Sequence, residues 1–378
     1  MRNMRAGVMR YFRIPYGRFL ASLLLMTAGA AYAQTPTPPK PLVVDADGTV
    51  HVPAMSVPMS EFLSPAGKKY VTEHLHQMGN PKVLVQKNGV PLFLAGYLSR
   101  LETLYPVERQ DTTIGGVHAY VYTPKSGISP TNRTRVLINL HGGGFQECWP
   151  GCAEIESIPI AALGQIKVIT LDYRQAPKYR FPAASEDVAA AYKALLKTYR
   201  PQDIGIYGCS AGGMLTGEAM AWFEKHGLPM PGAIGIFCAG LAPPDHGFGG
   251  DANYMSAPIG EATMMFAAPP EPSHGGKKHQ SELQYFEGAD PHDPLVSPTV
   301  SLPVLAKFPP TLIITGTRDF AMSSAVYTHS RLVKAGVDAE LHVWEGLFHG
   351  FFYNPDVPES RDCYNVIVNF FNRHLGRH

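Results

Sequence analysis

The chain has 378 residues, of which 45% are hydrophobic and 17% charged, and its 32 lysine and arginine residues nearly balance 31 aspartate and glutamate residues. The hydrophobic fraction is that of a globular protein and excludes an intrinsically disordered chain. The formal net charge of +1 provides no broad basic field for a nucleic-acid partner. With 37 glycines and 34 prolines, the composition favours a loop-rich enzyme over a helical bundle.

The first 33 residues have the pattern of a secretory signal peptide. Five arginines and no acidic residue accompany an apolar run at residues 19–26, which leads through small residues to Ala31-Tyr32-Ala33. The run is shorter than the roughly 20 residues of a membrane span. We therefore expect cleavage after Ala33, a secreted or periplasmic product, and no stable membrane anchor after cleavage. The alternatives are an uncleaved anchor or a wrongly assigned start codon. Cleavage would leave 27 basic and 31 acidic residues, a net charge of −4.

Residues 34–42 are rich in proline and threonine and predict a linker, because proline fits neither a helix interior nor a sheet. Helices are predicted at residues 59–76 and 90–103, and neither carries a recognisable catalytic motif.

From residue 118 onward, short β-rich runs bounded by glycine, proline or aspartate alternate with helical segments. This alternation predicts an α/β fold with a mostly parallel central sheet flanked by helices. Residues 241–301 interrupt the alternation, as insertions that carry a lid or a binding surface do. The predicted strands are residues 118–122, 135–140, 167–171, 204–207, 233–238, 311–315 and 339–344, and the predicted helices are residues 184–199, 210–225, 323–334 and 359–374.

The segment Gly208-Cys209-Ser210-Ala211-Gly212 follows a predicted strand and opens a predicted helix, which is the context of a nucleophile elbow. Such a turn is so tight that the residues two before and two after the serine must be small. It exposes the serine hydroxyl at the carboxyl end of the sheet, beside the positive end of a helix dipole. Ser210 is therefore the predicted nucleophile, and Cys209 is not, because the elbow centres its exposed side chain on the serine.

A glycine-rich motif, His141-Gly142-Gly143-Gly144, directly follows the second predicted strand. Consecutive glycines let backbone amides point into a site, where they and the Ala211 amide can bind the oxyanion of a tetrahedral intermediate. We expect Gly143 and Gly144 to be donors, with Gly142 as a third candidate. A flexible loop or a phosphate-binding loop is the alternative, but the lysine of a P-loop is missing.

The acid and then the base should follow the nucleophile along the chain, each after a late strand. Asp319 follows the strand at 311–315, and His349 follows the strand at 339–344. Asp319 would fix the tautomer of the imidazole and stabilise the imidazolium. Asp293 is the rival acid, but it precedes the strand at 311–315 and belongs to a loop. The predicted triad is therefore Ser210, Asp319 and His349.

With these residues in place, the chain resembles the hormone-sensitive-lipase-like branch of the α/β hydrolases, known as bacterial esterase family IV. The resemblance covers the chain from residue 118 onward and rests on HGGG at 141–144, GCSAGG at 208–213, DYR-x-AP at 172–177 and FPAA at 181–184. It implies the α/β-hydrolase fold, hydrolysis of carboxylic esters, and a cap built from the N-terminal segment and an insertion.

This resemblance implies a cap or lid segment at residues 43–110 and a catalytic domain at residues 111–378, with the cap insertion at about 241–301. The sequence departs from the family in two places. Cys209 stands where the family usually has aspartate or threonine, and the acid motif D-P-L-x-D reads D-F-A-M-S at residues 319–323. The hydrogen bonds around the elbow and the shape of the acid loop should therefore differ from the family pattern.

Cysteines and histidines offer further candidate sites. Cys148 and Cys152 close a small loop near the glycine motif, and an exported chain permits a disulfide that would stiffen this wall, with two free thiols as the alternative. The pair His74 and His76 lacks a matching acidic set, which favours solvated loop residues over metal ligands. No metal or cofactor is expected.

Together these patterns predict a secreted or periplasmic serine carboxylesterase that hydrolyses small to medium acyl esters through an acyl-enzyme. The expected partner is a small-molecule ester, and a homodimer is left open. An acyltransferase, or an amidase or peptidase, could use the same triad. A catalytically silent binding protein of this fold is the alternative from another class, but such proteins typically lack a member of the triad.

Overall fold

The computed structural model describes seven stretches of the chain. The predicted signal peptide and linker lie outside them, as does part of the predicted insertion. The described residues up to Ser56 belong to one unit, in which β1 (Val43–Val44) and β2 (Val50–His51) pair in antiparallel orientation, and a second unit begins at Val57. The described residues are 43–52, 55–78, 82, 85–243, 250–256, 259–260 and 283–376.

The second unit is built on an eight-stranded sheet in the order β12-β11-β10-β9-β7-β8-β6-β5. The pairs β5–β6 and β6–β8 are antiparallel and all other pairs are parallel, which confirms the predicted fold class. A small separate hairpin joins β3 (Gln86–Lys87) to β4 (Val90–Pro91). The strands of the large sheet are β5 (Val107–Ile114), β6 (Val117–Pro124), β7 (Val136–Leu140), β8 (Lys167–Leu171), β9 (Ile204–Cys209), β10 (Ala233–Phe237), β11 (Thr311–Gly316) and β12 (Ala339–Trp344).

Helices cover both faces of this sheet. One apolar core packs α4, α5 and α8 against one face, and a second core packs α1, α2, α3 and α9 against the other. Among the described helices, none has the length and apolar character that a bilayer crossing demands. The helices are α1 (Pro65–Met78), α2 (Leu92–Leu104), α3 (Gly151–Gly164), α4 (Ala183–Leu195), α5 (Ala211–Lys225), α6 (Asp251–Ser256), α7 (Leu302–Leu305), α8 (Met322–Lys334) and α9 (Pro358–His374).

The central strands β7, β9, β10 and β11 are buried along their whole length. Their sequences are continuous apolar runs because helices cover both faces of a parallel sheet. From β7 the chain first adds β8 on one side and then β9 on the other. Ligands bind at such a reversal of strand order, outside the carboxyl ends of the strands. The glycine motif follows β7 and Ser210 follows β9, so both lie at this reversal.

One expectation about α1 is wrong. His74, predicted to be solvated, is buried, and its ring stacks on Phe348 with centroids 3.5 Å apart. It lies on the apolar face of α1, together with the buried Tyr70 and Val71. Because Phe348 directly precedes His349, α1 packs against the loop that carries the predicted base.

Candidate active site

Ser210 lies between β9 and α5 in a backbone conformation that residues other than glycine rarely adopt, with φ 57° and ψ −124°. Its amide donates a hydrogen bond of 2.8 Å to the Phe237 carbonyl oxygen. A Cβ atom on Gly212 would lie 1.7 Å from the Leu140 carbonyl oxygen, and one on Gly208 would lie 2.2 Å from the same atom. The end of strand β7 therefore leaves no room for a side chain at Gly208 or at Gly212, the positions two residues before and two residues after the serine.

Two of the three glycines in the loop after β7 have positive φ angles. Gly143 has φ 117° and Gly144 has φ 63°, and a Cβ atom on Gly143 would lie 2.1 Å from a backbone carbonyl oxygen of the same loop. Within the described ranges, no group accepts a hydrogen bond from the amides of Gly143, Gly144 or Ala211. The Gly142 amide instead donates to Glu156 Oε1 at 2.9 Å, so it is committed to another partner.

His141 and Tyr173 hold the glycine loop in place through hydrogen bonds and ring stacking. The Nδ1–H group of His141 donates to the Gly142 carbonyl oxygen at 2.7 Å, and the Tyr173 hydroxyl donates to the His141 carbonyl oxygen at 2.7 Å. The two rings stack with centroids 4.5 Å apart. Burial lowers the pKa of His141 to about 4, so the ring is neutral near pH 7. The His141 of HGGG and the Tyr173 of DYR thus hold the loop in shape.

Asp319 and His349 are in contact at the ends of β11 and β12. His349 Nδ1 lies 2.8 Å from Asp319 Oδ1. The fully buried carboxylate also accepts hydrogen bonds of 2.9 Å from the Ala321 amide and the Thr315 hydroxyl. Burial acts to raise the pKa of Asp319, but His349 and these donors outweigh it and hold the pKa below its usual value. The Phe320 ring stacks on His349 with centroids 4.1 Å apart and fixes the plane of the imidazole.

The other predicted site residues have clear positions. Cys148 and Cys152 are joined by a disulfide at the start of α3, next to the glycine loop. The rival acid Asp293 lies in a turn, where its Oδ1 accepts a hydrogen bond of 2.9 Å from the Leu295 amide. Cys209 is buried beside the half-buried Ser210, so the elbow presents the serine.

Glu156 is a residue near the site that the sequence reasoning missed. Its carboxylate is buried in α3 and accepts hydrogen bonds of 2.9 Å from Asn139 Nδ2, the Gly142 amide and the Tyr353 hydroxyl. Burial raises the pKa of Glu156 to about 7 against the lowering effect of these donors. Nothing in the sequence distinguishes it from Glu154 two residues earlier, which pairs with Arg109.

One cluster of metal-ligand type adjoins the predicted triad. Cys238 Sγ, an Asp319 oxygen and a His349 nitrogen lie within 4.8 Å of one another, the one such group among the described residues. Asp319 and His349 already bond to each other, and the Gly350 amide donates to Cys238 Sγ at 3.2 Å. Burial raises the pKa of the Cys238 thiol well above its usual value, so it is a poor metal ligand near pH 7.

Known proteins resemble this chain in sequence and in fold. A family described by the α/β hydrolase fold matches residues 137–353. The chain is 28% identical over 251 residues to an acetyl-hydrolase of Streptomyces hygroscopicus, a match that covers 64% of this chain and 77% of the relative. It superposes on the crystal structure of esterase E25 with TM-score 0.70 and 27% identity, covering 86% of this chain and 98% of that one.

A second solved structure is an esterase from the bacterial hormone-sensitive lipase family, similar at TM-score 0.63 and 26% identity over 82% of this chain and 99% of that one. The family match extends over more than half of this chain and includes the glycine loop, the elbow, Asp319 and His349. The chain therefore belongs to the α/β hydrolases, and its resemblance to their hormone-sensitive-lipase-like branch is confirmed.

Proposed function

We propose that the chain is an exported serine carboxylesterase that hydrolyses esters of small to medium acyl groups. Ser210 is the nucleophile, His349 the base, and Asp319 the partner of the base. The observation that carries the proposal is the 2.8 Å contact between His349 Nδ1 and Asp319 Oδ1, at the same end of the sheet as the strained turn at Ser210.

The wider activity class is established by similarity. The relatives that the chain resembles are named an acetyl-hydrolase and esterases, and the chain is a carboxylic ester hydrolase. An acetyl-hydrolase acts on a small acyl group, which supports a preference for short acyl chains here.

In the proposed mechanism, Asp319 accepts a hydrogen bond from Nδ1–H of His349, which leaves Nε2 of the ring as the base. Ser210 Oγ attacks the ester carbonyl while Nε2 takes its proton, and the new oxyanion accepts hydrogen bonds from the amides of Gly143, Gly144 and Ala211. The imidazolium then protonates the leaving alkoxide. Water, deprotonated by the same ring, hydrolyses the acyl-enzyme and releases the acid.

Substitution of the nucleophile tests the assignment. Ser210→Ala should lower turnover of p-nitrophenyl butyrate by several orders of magnitude and abolish labelling by a fluorophosphonate probe, with an unchanged melting temperature. Ser330→Ala, which alters an exposed serine of α8, is the matched control and should behave as wild type. Turnover by Ser210→Ala within tenfold of wild type would refute the assignment.

Assays of the wild-type protein on further substrates distinguish the alternative reactions. An amidase or peptidase would also cleave the anilide of an acyl group, which an esterase leaves intact. An acyltransferase would convert added alcohol into a new ester in preference to releasing the free acid. A silent binding protein would react with neither the ester nor the fluorophosphonate. We expect hydrolysis of the ester alone, with free acid as the main product.

Export rests on the sequence pattern of the first 33 residues. Expression of the full chain in a bacterial host should yield processed protein outside the cytoplasm whose N-terminal residue is Gln34. Recovery of the protein in the cytoplasm with residues 1–33 intact would refute export and would leave the proposed chemistry untouched.

A further inference from the structure

Glu156 connects several parts of the site through one carboxylate. Oε1 accepts hydrogen bonds of 2.9 Å from the Gly142 amide and the Tyr353 hydroxyl, and Oε2 accepts one of 2.9 Å from Asn139 Nδ2. Asn139 lies in β7, Gly142 begins the glycine loop, and Tyr353 follows the predicted base by four residues. The main chain of Glu156 adds a link to β9, because its carbonyl oxygen accepts a hydrogen bond of 3.0 Å from the Tyr207 hydroxyl.

The bond between Glu156 and the Gly142 amide fixes the start of the glycine loop, directly before Gly143 and Gly144. A Cβ atom on Gly142 would lie 3.4 Å from the Ser210 Cβ and 3.2 Å from the Cys209 carbonyl oxygen, so the loop runs in contact with the elbow. Gly143 and Gly144 follow directly, and their amides have no acceptor in the described part of the chain. A shift of the Gly142 peptide would therefore move both amides relative to the serine.

An apolar side chain at this place in α3 would leave three buried donors without an acceptor, at a considerable cost in free energy. A carboxylate satisfies all three because its two oxygens have about four acceptor positions. The donors lie on three separate segments, at Asn139, Gly142 and Tyr353. Only a side chain as long as glutamate brings the carboxylate within reach of all three.

We infer that Glu156 is a positioning residue, which acts by fixing the Gly142 peptide so that the amides of Gly143 and Gly144 meet the oxyanion of the transition state. This inference rests on the proposed serine esterase function. It assigns to Glu156 no contact with the substrate. Its contribution should accordingly appear in kcat and not in KM, since the oxyanion is absent from the bound substrate and develops only during the chemical steps.

Two substitutions separate the geometry of the side chain from its charge. Glu156→Asp keeps the charge but shortens the side chain by one methylene, so that it no longer spans from α3 to Gly142. We expect kcat for p-nitrophenyl butyrate to fall about 10- to 100-fold, with KM within about threefold of wild type. Glu156→Gln keeps the length and one acceptor oxygen for Gly142. Asn139 can turn its amide to suit the new NH2 group, because its partner Thr170 can donate or accept. We expect this variant to recover most of the kcat that Glu156→Asp loses.

The matched control is Glu154→Gln, on the same helix. Glu154 is also buried, but it pairs with Arg109 and not with the glycine loop. We expect this variant to melt at a lower temperature with unchanged kcat. A second readout is inhibition by an aliphatic trifluoromethyl ketone, which adds to the serine and places its oxygen in the oxyanion position. Its Ki should rise in Glu156→Asp by about the factor by which kcat falls.

The inference is overturned if folded Glu156→Asp retains the kcat and the Ki of wild type, or if its kcat falls only in proportion to the loss of folded protein. Failure of the proposed function gives a different result: the wild type would not hydrolyse esters, or Ser210→Ala would remain active. Both outcomes are decided in the same assay, so the two failures cannot be confused.

Discussion

The tight packing behind the elbow makes Gly212→Ala a sharp test of the structure. In an ordinary helix this change stabilises a protein by up to about 1 kcal/mol. Here the added methyl carbon would lie 1.7 Å from the Leu140 carbonyl oxygen and 2.8 Å from that of His141. Carbon and oxygen atoms in normal contact are about 3.5 Å apart, so the backbone of α5 or β7 must move by more than about 1 Å. Overpacking of this kind costs about 1–3 kcal/mol, and we expect about 3 because both obstacles are main-chain atoms.

The displacement should also affect activity, since Leu140 leads directly into the glycine loop. A misplacement of about 1 Å can lower kcat about 100-fold. Urea melts and initial rates on p-nitrophenyl butyrate measure the two effects. Gly96→Ala is the control, because a Cβ atom at Gly96 in α2 would meet no atom within 4 Å, and it should stabilise the fold slightly. If Gly212→Ala has the melting curve and kcat of wild type, the described geometry of the elbow is wrong.

Three further predictions follow from the ionised and bonded groups. Asp319→Asn should lower kcat by about 10³- to 10⁴-fold, because the amide no longer fixes the correct tautomer of His349; a kcat within tenfold of wild type in a folded variant would contradict this. The folded pKa of Glu156, about 7, lies above the ordinary glutamate value of 4.5, so the contribution of this carboxyl group to stability is complete below pH 4.5 and is lost as the pH rises through 7. In urea melts between pH 4.5 and pH 8, the free energy of unfolding of wild type should therefore fall by about 3 kcal/mol relative to that of Glu156→Gln. If the two free energies instead change in parallel with pH, the raised pKa is excluded. Replacing Cys148 and Cys152 together by serine should lower the free energy of unfolding by about 2 kcal/mol, the chain-entropy value for so short a loop; equal melting temperatures under oxidising and reducing conditions would contradict the disulfide.

The sequence predicts the central parallel strands β7, β9, β10 and β11 well because each of them is buried on both faces and forms a largely apolar run. It does not predict β5, whose residues Val107–Ile114 are mostly exposed and polar. Helix α3 is missed for the opposite reason. Nearly all of its residues are buried and Pro159 lies inside it, so it has no polar face to give a helical period.

The positions of Ser210, Asp319 and His349 could be predicted because each follows a strand, and parallel strands bring their carboxyl ends to one edge of the sheet. The role of Glu156 could not be predicted in this way. It stands two residues from Glu154 in one helical turn, and only the packing of α3 on β7 directs one carboxylate to the glycine loop and the other to Arg109. Side-chain contacts between distant segments have no local signature in a single sequence.

The order of strands in the sheet also divides the site into a deep part and a peripheral part. Strand β9, which leads to Ser210, has all six residues buried between two neighbouring strands, whereas β12, which leads to His349, is an edge strand without a buried residue. Protection against opening follows burial, so amide hydrogens of β12 should exchange with solvent sooner than those of β9. Each brief opening of β12 would move His349 out of place while Ser210 and the glycine loop stay folded. Denaturant should therefore abolish activity at a concentration well below the one that unfolds the sheet.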